Sequence, residues 1–240
     1  MDPGEIHVSL LDPDVLGTPE VLGACERVMS EDERTRLAGM KSARRQVEYR
    51  LTRALVRRSL SVHARVAPTA WRFEIGPHGR PEIAGPGEAP KLFFNVSHTA
   101  GLIACAVAVD PEIGVDVEDV ERRSRTVQIA DRFFAPSEVH ALGSLPVAEQ
   151  RDRFFDYWTL KESYIKARGK GLAIPLKSFA FDLSHPERIG LTLAAAAGDV
   201  PDGWRFFLMQ PDARHRLALA VRPPTGVRPL LRMETVGELP

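Results

Sequence analysis

Two short runs of small apolar residues, far apart in the chain, constrain its fold most strongly. Residues 102–109 read LIACAVAV and residues 217–221 read LALAV. Uncharged runs of this kind, bounded by turn residues, are typical of buried β-strands. Each half of the chain also contains a basic helix and an aromatic strand, so the two halves echo one another. The sequence therefore predicts two related lobes, joined near Asp110 and Pro111.

The predicted fold class is α+β, a pseudo-twofold arrangement of two similar α/β lobes with a cleft between them. The chain has 240 residues, of which 44% are hydrophobic, enough for a sizeable core. We predict an N-terminal lobe over residues 1–110 and a C-terminal lobe over residues 111–225, followed by a peripheral, proline-rich tail over residues 226–240.

Bulk charge and cysteine content exclude several classes of partner. The formal net charge is zero and the pI is about 7.1, so no global field attracts nucleic acid or an anionic membrane. The two cysteines, Cys25 and Cys105, indicate free thiols in a reducing compartment. The first residues do not resemble a signal peptide, and no apolar run approaches the roughly 20 residues that span a bilayer. We therefore expect a soluble, cytoplasmic protein.

One strand carries two carboxylates on the same face. In residues 113–118, IGVDVE, aliphatic side chains alternate with Gly114, Asp116 and Glu118. A period of two places the carboxylates together, about 6.5 to 7 Å apart along the strand, and Gly114 clears space beside them. Oxygen ligands of this kind suit Mg²⁺. The alternative is a solvated strand face that leads into the charged loop after it.

A helix over residues 152–167 carries a second charged group. Trp158, Glu162 and Lys166 are spaced by four and share one stripe of this helix, whereas Lys161 lies off the stripe and is expected to be solvated. The alternative is an ordinary surface pair worth roughly 0.3 to 0.5 kcal/mol. If this stripe meets the acidic strand, three carboxylates and a lysine surround one site for a metal ion and a phosphate. We predict that this active site lies in the cleft between the lobes.

Other polar residues are weaker candidates for phosphate binding. Ser97 and His98 are predicted in a turn after an aromatic strand; a hydrolase would need a G-x-S-x-G elbow, which is missing here, and a merely structural turn stays possible. Arg80, in a glycine–proline turn, and Arg36, on an early helix, are by themselves indistinguishable from solvated arginines. Glu138 is most simply a favourable charge at a helix N-terminus.

Together these segments resemble the 4′-phosphopantetheinyl transferases of the surfactin-synthetase-activating type. The resemblance runs from about residue 30 to residue 221. Its motifs are, in order, Gly79-Arg80-Pro81, Phe94-Asn95-Val96-Ser97-His98, Ile113-Gly114-Val115-Asp116-Val117-Glu118, Phe133-Phe134 with Glu138, and Trp158-Thr159-Leu160-Lys161-Glu162-Ser163-Tyr164-Ile165-Lys166. The pair of acidic motifs is the signature of that family.

The resemblance implies transfer of the phosphopantetheine arm from coenzyme A to a serine of an apo-carrier protein. Adenosine 3′,5′-bisphosphate is the by-product, and Mg²⁺ is the cofactor. The implied roles divide into metal ligands (Asp116, Glu118, Glu162), phosphate contacts (Ser97, His98, Lys166, with Arg36 on the 3′-phosphate) and an adenine-flanking turn (Arg80, Pro81). The catalytic residues would be Glu162 or Glu138 as the base and Lys166 on the leaving group.

Two departures from the family pattern are visible. Arg80 stands where close relatives often carry lysine, and a guanidinium reaches and stacks differently from an ammonium. A second basic residue near the 3′-phosphate in some relatives falls near Glu33 here, and Arg44, Arg45 or Arg50 are the candidate replacements.

Two other functions and the identity of the carrier stay open from the sequence. The alternatives are a metal-dependent phosphohydrolase and a silent coenzyme A-binding or carrier-docking module. The length suits the two-lobed, monomeric branch of the family, whose carriers are peptidyl, polyketide or acyl carrier domains. The helix over residues 136–142 and the loop after Arg123 are candidate carrier-docking surfaces.

Overall fold

The computed structural model describes residues 1–122, 126–169, 174–185, 188–194 and 198–239. The helices are α1 Pro13–Leu16, α2 Pro19–Val28, α3 Glu31–Ala38, α4 Ala43–His63, α5 Ala130–Phe133, α6 Pro136–Gly143 and α7 Val147–Arg168. The strands are β1 Glu5–Leu11, β2 Arg72–Ile75, β3 Pro81–Gly85, β4 Phe93–Thr99, β5 Leu102–Ala108, β6 Ile113–Asp119, β7 Phe179–His185, β8 Arg188–Leu193, β9 Arg205–Met209, β10 His215–Val221 and β11 Leu230–Thr235.

The two lobes repeat the same order of elements. In the first, β1 leads through short helices to α4, the hairpin β2–β3 and the antiparallel pair β4–β5. In the second, β6 leads to α7, the hairpin β7–β8 and the antiparallel pair β9–β10. The strand orders β1-β5-β4 and β6-β10-β9 are the same. This confirms the predicted α+β class and the pseudo-twofold repeat.

Register makes the repeat exact enough to match single residues. Ser9 on β1 lies opposite Cys105 on β5, and Asp116 on β6 lies opposite Ala218 on β10. Both partners are the fourth residue of their strand. Ser9 is therefore the counterpart of Asp116 in the first lobe.

Three apolar clusters hold the layers together. Alternate residues of β1, β5, β6 and β10 form one cluster between the two sheets, so the sheets pack face to face. A second cluster lies between β5 and α4, and a third lies between β10 and α7. Each long helix thus covers the outer face of its own sheet, because an amphipathic helix must bury its apolar stripe.

The C-terminal residues add a strand to the first lobe. Strand β11 pairs in parallel with β1 at the edge of the sheet. On β11, Glu234 accepts a hydrogen bond from the Ser9 hydroxyl (3.0 Å) and pairs with Arg58 of α4 (2.6 Å). Residues 226–240, which were predicted from the sequence to be a peripheral tail, therefore contain a strand of the first lobe. This strand lies beside Ser9, at the place in the first lobe that corresponds to the cleft beside Asp116 in the second.

Several local expectations are confirmed, and some elements were missed. Ser30 and Glu33 form a capping box at the start of α3, as the acidic first turn indicated. Cys25 and Cys105 are buried, free thiols, and burial raises their pKa to about 11 and about 12, respectively. Strands β3, β8 and β11 were not predicted. Within the described residues, no helix is long and apolar enough to cross a membrane.

Candidate active site

Close contact between β6 and α7 creates the site. A Cβ atom on Gly114 would lie 2.1 Å from the carbonyl oxygen of Ser163 and 2.4 Å from the backbone nitrogen of Ala167. Only glycine allows the strand to lie this near the helix backbone. The close approach brings the acidic face of β6 against the stripe of α7 that carries Glu162 and Lys166.

The edge strands of the two sheets, β4 and β6, meet beside this contact. The Asn95 side-chain oxygen accepts a hydrogen bond from the Val115 backbone N–H (2.9 Å), and the Ser97 hydroxyl accepts one from the Val117 N–H (3.3 Å). Side chains of β4 thus take the place of a backbone ladder and join the two lobes. Ser97 and His98 lie in β4, so their predicted placement in a turn was wrong.

Asp116 is the centre of a buried hydrogen-bond network. Its Oδ1 atom accepts from Lys166 Nζ (2.7 Å) and from the Ser97 hydroxyl (2.9 Å). Lys166 also donates to Ser97 (2.8 Å) and to the Val115 carbonyl (3.1 Å). The other carboxylate oxygen, Oδ2, is buried and has no hydrogen-bond partner among the described residues. A buried carboxylate oxygen without a partner carries a desolvation cost, which a cation would relieve.

Glu118 lies two residues further along β6 and carries a different partner. Arg122 Nη1 lies 2.8 Å from Glu118 Oε2, and the side chain of Glu118 is only 13% exposed. Burial, followed by the neighbouring Asp116 charge, raises the pKa of Glu118 to about 7, although Arg122 and Lys166 oppose the shift. This carboxyl group is therefore poised between its neutral and charged forms near neutral pH.

Glu162 reaches the same site from α7. Burial raises its pKa, and the Asp116 charge raises it further, against the opposing influence of Lys166. A carboxylate with a raised pKa is a better proton acceptor than an exposed one. The prediction that Trp158, Glu162 and Lys166 share one face of the helix is confirmed, since all three line one cavity.

Two connected cavities form the cleft. The first, of about 410 Å³, is lined by both strands and α7: Val96, Ser97, His98, Asp116, Val117, Glu118, Trp158, Glu162 and Lys166. The second, of about 260 Å³, shares Val96, Glu162 and Lys166 with it and extends to the turn containing His78, Gly79, Arg80 and Pro81. His98 is exposed at the mouth of the first cavity. An elongated ligand can therefore lie with one end at the carboxylates and the other at the turn.

Arg80 lines this cleft but its donors are engaged by the protein. The guanidinium donates to the carbonyls of Phe94 (3.0 Å), Ile113 (3.2 Å) and Lys166 (3.2 Å). These belong to β4, β6 and the C-terminal end of α7, where helix carbonyls lack intrahelical partners. Burial lowers the pKa of Arg80. Arg80 is therefore a clamp between the lobes, a role that the sequence did not indicate.

Glu138 is not part of the cleft. Its side chain is fully buried and pairs with Lys161 (2.7 Å), and it accepts from the backbone N–H groups of Ala135 (2.9 Å) and Phe181 (2.8 Å). Burial raises the pKa of Glu138 and lowers that of Lys161. The expectation that Lys161 is solvated was wrong. Because Glu138 is fully buried and is bonded to Lys161 and to two backbone N–H groups, it is a structural residue, which contradicts its assignment as a candidate base.

The basic residues of the first lobe are partly committed to ion pairs. Glu33 pairs with Arg57 (2.6 Å), and Arg44 pairs with Glu48 (2.9 Å). Arg50 pairs with Glu26. Arg36 and Arg45 are exposed. Arg36 does not line either cavity of the cleft, so its expected contact with a 3′-phosphate remains a prediction.

The carboxylates of Asp116, Glu118 and Glu162 line one cavity but do not have the geometry of a metal site. Among the described residues, no group of three or more His, Cys, Asp and Glu side chains has the geometry to hold a metal ion. Two of the carboxylates are instead paired with cations of the protein, Asp116 with Lys166 and Glu118 with Arg122. The donor set is nevertheless all oxygen, which suits Mg²⁺, and Asp116 Oδ2 has no partner among the residues that the structure describes.

Comparisons with known proteins agree with the motifs. The family model of the 4′-phosphopantetheinyl transferase superfamily matches residues 112–220. The 4′-phosphopantetheinyl transferase HetI of Nostoc sp. (strain PCC 7120 / SAG 25.82 / UTEX 2576) is 32% identical over 193 residues, which cover 80% of this chain and 78% of that protein. A 4′-phosphopantetheinyl transferase of Bacillus subtilis is 36% identical over 155 residues, covering 64% of this chain and 63% of that protein, somewhat less than two thirds of its length.

A solved structure is more distantly similar. The holo-[acyl-carrier-protein] synthase of Thermotoga maritima matches with a TM-score of 0.39 and 26% sequence identity, covering 46% of this chain and 62% of that one. The assignment rests on the sequence relatives, which confirm the resemblance drawn from the motifs and lend no support to a phosphohydrolase. The chain belongs to the 4′-phosphopantetheinyl transferase superfamily.

Proposed function

We propose that this chain transfers the 4′-phosphopantetheine arm of coenzyme A to a serine hydroxyl of an apo-carrier protein, releasing adenosine 3′,5′-bisphosphate. Beside family membership, one observation carries the proposal: within the described part of the chain, the buried Asp116 Oδ2 atom has no hydrogen-bond partner, in a cleft that also holds Glu118, Glu162 and Lys166. Such a cleft suits a pyrophosphate bound together with a divalent cation.

The ligands of the proposed Mg²⁺ ion are Asp116, Glu118 and Glu162. The ion would supply positive charge to the pyrophosphate oxygens where the leaving-group charge develops. His98, exposed at the mouth of the cavity, and Lys166, within it, contact phosphate oxygens. The turn at Arg80 and Pro81, at the far end of the cleft, lies beside the nucleotide.

Glu162 is the proposed base. The carrier serine hydroxyl gives its proton to this carboxylate, and its oxygen attacks the phosphorus that bears pantetheine. The bond from that phosphorus to the bridging oxygen of the pyrophosphate breaks, and Lys166 stabilises the departing bisphosphate. The raised pKa of Glu162 supports this role, whereas Glu138 is fully buried and lines neither cavity of the cleft.

The partners follow from the reaction. Coenzyme A is the donor, and an apo-carrier domain of the peptidyl, polyketide or acyl type is the acceptor. We propose that the chain acts as a monomer, because both lobes that form the cleft belong to one polypeptide. The buried free thiols favour a reducing, cytoplasmic location.

The test is conversion of apo-carriers to holo-carriers, read by mass. The full chain is incubated with coenzyme A, Mg²⁺ and a panel of apo-carrier proteins, and the wild type should add the phosphopantetheine mass to at least one. Asp116→Asn and Glu162→Gln should abolish the shift while the circular dichroism spectrum stays unchanged. Glu149→Gln, an exposed change on the same helix, is the matched control. Near-normal transfer by Glu162→Gln would refute its role, and coenzyme A hydrolysis without any modified carrier would refute the proposed function.

A further inference from the structure

Each of the two β6 carboxylates that line the cavity, Asp116 and Glu118, already carries an internal cation. Lys166 lies 2.7 Å from Asp116, and Arg122 lies 2.8 Å from Glu118. The family motifs account for Lys166, which lies on the α7 stripe. Arg122 lies outside those motifs, in the loop after β6, and the reaction proposed above assigns no role to it.

The position of Arg122 is defined by the protein around it. Arg151 Nη2 donates to the Arg122 carbonyl (2.6 Å), and Arg151 Nε donates to the Val120 carbonyl (2.6 Å), so one arginine of α7 fixes the loop backbone. The Arg122 guanidinium lies over the rings of Phe155 (5.3 Å) and Trp158 (6.0 Å). Glu118 and Trp158, two partners of this guanidinium, line the cavity, so Arg122 lies next to the site without lining it.

Arg122 is also incompletely satisfied where it stands. Its Nε atom is buried and has no hydrogen-bond partner among the described residues. A guanidinium can bind two oxygens of a phosphate at once, whereas Arg122 contacts Glu118 through Nη1 alone. A second cation on Glu118 would repel it, since like charges a few ångströms apart in a partly buried site interact strongly.

We propose that Arg122 is an internal counter-ion that competes with the divalent cation for Glu118 and moves onto a substrate phosphate when that cation binds. The inference rests on the proposed function, because it takes the pyrophosphate of coenzyme A as the ligand. Its consequence is cooperative binding. The divalent cation binds weakly to the free protein, and coenzyme A raises the affinity for the cation because its phosphate accepts the displaced guanidinium.

The experiment measures Mn²⁺ binding by the loss of the free-ion electron paramagnetic resonance signal, with and without coenzyme A. The full chain is used at pH 8, above the pKa of Glu118. Arg122→Gln should bind Mn²⁺ about threefold to tenfold more tightly than wild type without coenzyme A, the worth of one partly exposed ion pair. The strengthening by coenzyme A should fall by a similar factor. Arg132→Gln, an exposed arginine on α5, removes the same charge and should match wild type.

A double-mutant cycle shows whether Arg122 acts through Glu118. In a Glu118→Gln background, the further change Arg122→Gln should leave the Mn²⁺ affinity without coenzyme A unchanged. If Arg122→Gln fails to fold, Arg122→Lys replaces it. An ammonium lacks the planar fork with which a guanidinium binds two phosphate oxygens in parallel, so the increase in Mn²⁺ affinity caused by coenzyme A should again fall. The proposal is overturned if the Arg122 variant has wild-type Mn²⁺ affinity and wild-type strengthening, or if its effect persists in the Glu118→Gln background.

These titrations separate the inference from the proposed function. Failure of the wild type to modify any carrier, with the Mn²⁺ results as expected, would contradict the transferase proposal alone. Normal carrier modification with unchanged Mn²⁺ binding in the Arg122 variant would contradict the counter-ion role alone.

Discussion

Replacing Gly114 by alanine tests the contact on which the whole site depends. The added Cβ atom would meet two backbone atoms of α7, at 2.1 Å and 2.4 Å, whereas real Cβ contacts essentially never fall below 3.0 Å. Strand β6 and α7 must therefore separate by about 1 Å, because neither backbone atom can rotate away as a side chain would.

The expected cost follows from this displacement. Overpacking of a core typically costs about 1 to 3 kcal/mol, and a clash with two backbone atoms of α7 places Gly114→Ala at about 3 kcal/mol or more. The same shift moves Asp116 relative to Lys166 and Glu162. A misplacement of about 1 Å in a catalytic group can lower the rate by roughly a hundredfold.

Two assays measure the two effects. Urea denaturation gives the free energy of unfolding, and the mass-shift assay gives the rate of carrier modification. Gly143→Ala is the matched control, because its added Cβ, at the end of α6, would have no atom of the described residues within 4 Å apart from its chain neighbours and its own helix backbone. That control should stay within about 0.5 kcal/mol of wild type. A Gly114→Ala variant that unfolds at the wild-type urea concentration and transfers at the wild-type rate would refute the argument.

Three further perturbations have defined outcomes. Lys161→Met leaves the Glu138 charge buried without its cation and should lower the free energy of unfolding, measured by urea titration, by about 3 to 5 kcal/mol. The double variant Glu138→Gln with Lys161→Met should recover much of this lost stability. For Glu118, the pKa in the folded state is about 7, above the ordinary 4.5, so the free energy of unfolding of the metal-free protein should fall by up to about 3 kcal/mol as pH rises between these values. Denaturation of wild type and Glu118→Gln at pH 5 and pH 8 measures this loss as a change in the stability difference between them. A difference that is the same at both pH values would contradict the prediction. Glu234→Ala should destabilise the protein by about 1 to 2 kcal/mol by releasing Arg58 and Ser9, while the exposed Glu238→Ala should have no measurable effect on the melting temperature.

Local patterns predicted most of the secondary structure. The basic helix expected in the first half is α4, Ala43–His63, and the strand expected over residues 113–118 is β6. These elements follow from side-chain periodicity, which depends only on neighbouring residues. The two apolar runs at residues 102–109 and 217–221 correspond to β5 and β10, the equivalent central strands of the two lobes.

The errors share a physical cause. Lys161 was expected in solvent because it lies off the stripe of Glu162 and Lys166, but Glu138 on α6 pairs with it in the core. Arg80 resembled a solvated turn residue, yet it clamps carbonyls from three elements. Partners that come from distant parts of the chain leave no periodic signal beside the residue they bind.

The sequence by itself determined which charged side chains share a face, because two acids at period two and a glutamate and lysine at period four project from defined faces of a strand and a helix. Tertiary structure decided their state. The contact at Gly114 brings the two faces together, and Lys166 and Arg122 then pair with the two acids. One oxygen of Asp116 has no partner in the described parts of the chain. It also decided which of the two similar lobes has an open site. Strand β11 places Glu234 against Ser9 and Arg58 in the first lobe, while the equivalent surroundings of Asp116 remain a cleft, since only packing between distant segments can fill a cavity.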